Sequence, residues 1–186
     1  MSAGEMNERI AKASPLFKAR IAGVFYLLVF LTGGFALFVR GRLGPAAGLI
    51  AGACYIAVTL LFYGIFKPVS RNLSLLAAFI SLVGIIIGPL SLLHFVPFTI
   101  NPLVFFGFYC LLIGYLILRS TFLPRILGVL MVFAGLGWLT FLSSPLANYL
   151  FPYNFIPGLL GEGVLTLWLI VMGVNVQRWK EQASAA

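Results

Sequence analysis

Six apolar runs, each about as long as a bilayer's hydrocarbon core is thick, follow one another with only short polar breaks between them. They lie at about 19–39, 45–66, 73–95, 103–118, 126–142 and 156–176. A helix of about 20 apolar residues crosses that core, whereas a soluble fold has no use for six such segments in succession. Lipid cannot satisfy open backbone groups, and no period-two alternation is present, so every run is expected to be an α-helix. The predicted fold is therefore all-α, a bundle of six transmembrane helices. The breaks between runs hold turn residues: Gly44-Pro45, Lys67-Pro68, Pro97 to Pro102, Pro124-Arg125 and Ser143 to Pro157. With such short connections, neighbouring helices should run antiparallel.

Composition agrees: of 186 residues 62% are hydrophobic and 9% charged, and mean hydropathy is +1.11, which leaves no material for a large aqueous domain. Residues 1–18 mix Glu5, Glu8, Arg9, Lys12 and Lys18 ahead of a run too long for a signal-peptide core, so no cleaved signal is expected. The organisation read here is an N-terminal tail, 1–18, a single six-helix domain, 19–177, and a C-terminal tail, 178–186.

Lysine and arginine divide unequally between alternate breaks. Ten of the twelve, Arg9, Lys12, Lys18, Arg20, Lys67, Arg71, Arg119, Arg125, Arg178 and Lys180, fall on one side, and only Arg40 and Arg42 on the other. The positive-inside rule then makes both termini cytoplasmic, as an even number of spans requires. The formal charge of +8 reads as a topology signal and an attraction to anionic headgroups of the lipid bilayer; no nucleic-acid partner is expected.

Glycines at four-residue spacing, Gly44, Gly48 and Gly52 in the second run and Gly84 and Gly88 in the third, are expected to bring helices close, within the bundle or between chains. Pro89 is expected to kink the third span rather than end it. Arg20-Ile-Ala-Gly23-Val opens the first run and Arg125-Ile-Leu-Gly128-Val the fifth, a short match built from residues common in membrane helices.

The chain offers little chemistry. It has no Asp, one His and four Glu, three of them in the tails. Paired carboxylates, a Ser-His-Asp triad, an Asp-rich magnesium site, bis-histidine haem and a phosphate-cradling glycine loop are all excluded. Cys54 and Cys110 lie inside apolar runs and read as small apolar residues, so no Cys-based metal site is expected. No metal site and no particular cofactor is indicated, and an enzyme is the least favoured class.

Glu162 is the exception. It stands in Pro157-Gly-Leu-Leu-Gly-Glu162-Gly163, roughly 8 Å inside the last span at ~1.5 Å per residue. Burying an ionisable group at that depth costs a few kcal/mol, which makes it a functional candidate, or else a pin between helices. Flanking glycines leave room for a ligand or another backbone. His94 and Arg40 belong to the same membrane face by topology, and with Glu162 they form the candidate intramembrane polar site. Trp138, Asn101, Tyr149 and Asn154 share that face. The aromatic stripe from Phe105 to Tyr109 reads as packing, and Trp168 and Trp179 as interfacial residues.

Three segments resemble a family known only as a domain of unknown function, number 4386, of small polytopic bacterial membrane proteins. They are Ala19 to Phe25, Phe106-Gly-Phe through Leu118-Arg-Ser-Thr-Phe-Leu-Pro-Arg-Ile-Leu-Gly128, and Pro157 to Glu162 through Leu167-Trp-Leu-Ile-Val-Met-Gly173. Glu162 matches a glutamate that commonly precedes the family's Trp-Leu-Ile-Val segment. The family's third span carries polar residues, whereas residues 79–87 here are almost wholly apolar, and the chain is shorter than typical members in its outer loops. The resemblance implies a six-helix bundle in a bacterial inner membrane and brings no activity, substrate or catalytic residue. Two roles stand open: a structural or accessory subunit that binds a membrane-protein partner or a second copy of itself, and a carrier or binding protein for a small lipophilic molecule or a proton through Glu162.

Overall fold

The computed structural model describes residues 14–39, 41, 43–92 and 101–185. Among them there is no strand, and six longer helices carry the architecture: α1 (Pro15–Phe38), α2 (Leu43–Phe66), α3 (Arg71–Leu92), α4 (Leu103–Arg119), α5 (Arg125–Leu139) and, after a short α6 (Ser144–Leu150), α7 (Ile156–Val171). Helix α8 (Val176–Ser184) closes the described chain. Ser14 starts α1 by accepting a hydrogen bond from the Phe17 amide at 3.2 Å, with Pro15 in the first turn where its missing N–H costs nothing. Helix α3 continues through Pro89.

Among the described residues five helical stretches are long and apolar enough to cross a membrane: Pro15–Ala36, Leu43–Phe66, Arg71–Leu90, Arg125–Leu142 and Tyr153–Val171. That is the make-up of a multi-pass membrane protein. Helix α4 is equally apolar but has 17 residues, just under a full crossing. The sixth apolar run does not stay helical to 176. It stops at Val171 because Gly173 takes a left-handed backbone, φ 67°, and Asn175 then caps α8, its side chain accepting from the Arg178 amide at 3.1 Å. The C-terminal tail is thus largely a short amphipathic helix.

Each of the six long helices packs on its neighbour in sequence, α5 packs on α7, and α7 returns to pack on α1. The result is a closed ring. Its two ends are distinguished by contacts. Trp179 of α8 donates to the Ile65 carbonyl at 2.8 Å, the Asn175 amide donates to Phe122 O at 3.1 Å, and the Thr121 amide donates to Gln182 at 3.0 Å. The connections 67–70, 120–124 and 172–175 therefore share one end, which carries Arg20, Lys67, Arg71, Arg119, Arg125 and Arg178. We refer to it as the basic end.

Apolar side chains cover both faces of every long helix, because the inside meets other helices and the outside must meet lipid. Phe62, Ile113, Leu116, Leu127, Met131, Leu165 and Leu169 are buried, whereas Leu31, Leu60, Phe79, Leu136, Leu159 and Leu167 point outward.

Glycines set the closest approaches. A Cβ on Gly114 would lie 2.9 Å from Gly128 O, and one on Gly128 would lie 2.8 Å from Gly114 O; Gly107 and Gly135 face each other in the same way, one heptad along. Helices α4 and α5 thus touch backbone to backbone at two levels. Gly23, at the position of the α1 segment that matches Gly128, does the same for α1, its Cβ position 2.9 Å from the Ile170 amide of α7. The glycines expected to pack behave differently. Gly84 presses on Phe105, and Gly44 on the backbone of Val39, but Gly52 makes only an ordinary contact with Ile85, and Gly48 and Gly88 face open space.

Candidate functional site

The polar groups of the interior meet around Glu162. Helix α7 brings it there because Gly161, its neighbour, rests on the backbone of Leu130 and on Ala134 of α5, with no space for a side chain. One turn earlier Gly158 lies under the indole of Trp138. Two glycines on one face of α7 thus press that helix onto α5 and bring Trp138 to the carboxyl. Glu162 is 5% exposed.

Each carboxyl oxygen accepts from a different helix: Tyr26 Oη of α1 donates to Oε2, and Trp138 Nε1 of α5 donates to Oε1. Glu162 therefore links three helices that are also adjacent in the ring, and the donors around it are neutral.

The polar array continues away from the carboxyl. The ring of Tyr26 packs edge-on against Tyr55 of α2, centroids 5.6 Å apart, and Tyr55 against Tyr109 of α4 at 5.9 Å. Tyr109 is 1% exposed, and Tyr55 is also buried. The hydroxyls of Tyr55 and Tyr109 are buried with no hydrogen-bond partner among the described residues. Thr59 lies 2.7 Å from Ser81 of α3, hydroxyl to hydroxyl. Every helix of the ring thus contributes at least one polar side chain to the centre: Tyr26, Tyr55 with Thr59, Ser81, Tyr109 with Cys110, Trp138, and Glu162.

Such an array can join helices, exchange hydrogen bonds with a small guest, or hold a proton on the one carboxyl. Among the described residues no three His, Cys, Asp or Glu side chains cluster as metal ligands. His94 and Arg40, expected beside Glu162, lie outside the described residues. Trp138, expected at that membrane face, is brought into contact with the carboxyl.

The sequence alone gives no role to Tyr26 and Tyr55, and it makes Tyr109 part of a packing stripe and Cys110 a small apolar residue. A usable signal was present. These tyrosines fall in the middle of apolar runs otherwise filled by Phe, Leu, Ile and Val, and a buried phenol needs a partner that a Phe does not.

A family model described as a domain of unknown function (DUF4386) matches residues 40–102 and 93–173. The matched stretches hold every residue of the array except Tyr26. An uncharacterised protein of Archaeoglobus fulgidus is 28% identical to the chain, the similarity covering 63% of this chain and 76% of that protein. No solved structure matches the chain.

Proposed function

The chain belongs to the DUF4386 family, and we propose that it works as a small membrane module, a structural or accessory subunit that presents a preformed helical surface to a partner. In this reading the ring crosses the bilayer six times, α4 being the short crossing, with both termini in the cytoplasm of a bacterial cell. Gathering of the basic residues at the end that also carries α8 supports that orientation. A reporter active only in the cytoplasm is expected to be active when fused after Ala186; an inactive fusion in stably expressed protein contradicts the topology.

The observation that carries the accessory reading is the state of Glu162. It is enclosed, each oxygen is taken by a donor from another helix, and the ring closes on itself, as suits a rigid body rather than an open passage. The second reading, a binding or carrier protein for a small molecule or a proton, is favoured by one specific observation, the two buried hydroxyls of Tyr55 and Tyr109 that lack partners beside the carboxyl. Native mass spectrometry of protein extracted gently from its own membrane separates the two. The accessory reading predicts a stoichiometric partner chain or a second copy. A bare monomer carrying a small-molecule mass that Glu162→Gln loses would overturn it in favour of binding.

A further inference from the structure

At the basic end the turn between α7 and α8 and the connection 120–124 enclose a cleft of about 410 Å³. Its floor is apolar and buried, formed by Phe122, Leu123 and Val174. Its rim is polar and exposed: Thr121, Asn175 and Arg178. Trp168, one turn back along α7, also lines the cleft.

Three arginines lie on or next to this cleft. Arg178 lines it, and its guanidinium donates a long hydrogen bond, 3.4 Å, to Thr121 O. Arg125 directly follows the lining residue Pro124 and is exposed. Arg20 donates at 3.4 Å to the carbonyl of Val171, next to the lining residue Met172. Among the described residues the one nearby acid is Glu181, which is exposed on α8 and accepts from Gln177 at 3.2 Å. A guanidinium on the cleft, two more arginines next to its lining residues, and a lining that includes buried apolar side chains and a tryptophan match an anion that carries hydrocarbon. Guanidinium pairs with phosphate oxygens through two parallel N–H groups, and Trp is at home where headgroup meets chain.

We propose that this cleft binds the phosphate of an anionic phospholipid, with Arg178 as its principal ligand and the acyl chains passing outward along Trp168 and the exposed side chains of Val171 and Met172. Bound there, the lipid would bridge α5, α7 and α8 and fix the docked C-terminal helix. The inference is independent of the role assigned to Glu162.

The test is native mass spectrometry of the purified full chain in detergent, titrated with phosphatidylglycerol or phosphatidylcholine of the same acyl chains. One phosphatidylglycerol should be retained per chain in clear preference to phosphatidylcholine, and Arg178→Gln should weaken that retention about five-fold, the worth of one basic side chain near a surface. Because Arg178 also lies in α8, an Arg20→Gln/Arg125→Gln variant serves as a second probe, expected to weaken retention while leaving helix content unchanged. Equal retention of the two lipids, or full retention by both variants, would overturn the proposal. So would complete displacement of phosphatidylglycerol by millimolar inorganic phosphate, which would show that the cleft selects free phosphate rather than a lipid.

Discussion

Replacing Glu162 by alanine is expected to lower the stability of the folded ring by about 2–4 kcal/mol, one of the two largest effects available to a single substitution here. The change removes the acceptor for two donors, the buried Tyr26 Oη and the part-buried Trp138 Nε1, and neither has another acceptor among the described residues. An orphaned buried donor costs about 1–3 kcal/mol in general, and polar contacts between membrane helices measure toward the low end of that range. Glu162→Gln should cost about half as much. The amide keeps the volume and one carbonyl acceptor, but its NH2 must then face one of the two donors. Unfolding of detergent-solubilised protein followed by circular dichroism gives the order, alanine worse than glutamine worse than the parent chain. An alanine variant as stable as the parent would show that the carboxyl does not tie the helices together.

Gly161→Ala should rival it through sterics alone. The added methyl would collide with Leu130 O and meet Ala134 Cβ at 2.8 Å, so α5 and α7 must move apart. Forcing volume into a packed interface costs about 1–3 kcal/mol, and backbone yields less readily than a side chain. The same movement would draw Trp138 away from Glu162, adding the loss of a hydrogen bond. Gly163, two residues further along the same helix, has open space where its Cβ would point. Gly163→Ala is therefore expected to be neutral within about 0.5 kcal/mol. Thermal unfolding of the two variants side by side checks the pair, and equal stabilities would contradict the tight α5–α7 contact.

The helical architecture was readable because hydropathy reports the length a bilayer demands, and the described helices begin within a few residues of the apolar runs. What hydropathy does not report is which side of a helix faces inward. In a soluble helix the polar face marks the outside. Here Leu60 faces out and Phe62 faces in, and both are equally apolar. Four-residue spacing marks Gly48 and Gly88 as packing positions without saying whether the partner helix belongs to the same chain or to another, and within this chain both face open space. The glycines pressed against a neighbour, Gly107 with Gly114 and Gly128 with Gly135, stand seven apart on two antiparallel helices, so their meaning appears only when the helices are paired. Glu162 was legible as the lone carboxylate inside an apolar run. Its partners were not, because Tyr26 and Trp138 are 136 and 24 residues away in sequence, and only closing α7 onto both α1 and α5 makes them neighbours. The end of the last helix was missed for a local reason. Met172 to Val174 is apolar enough to continue a span, and Gly173 stops it by conformation rather than polarity.

The central claim, that Glu162 joins α7 to its ring neighbours through direct hydrogen bonds, is tested most directly by a double-mutant cycle. Stabilities of the parent, Tyr26→Phe, Glu162→Gln and the double variant would be measured in one detergent. If Tyr26 donates to the carboxyl, the two losses should fall short of additive by about 1 kcal/mol, because whichever substitution comes first already removes the shared bond. Losses that add to within about 0.3 kcal/mol would mean that the two side chains do not interact, and would contradict the claim.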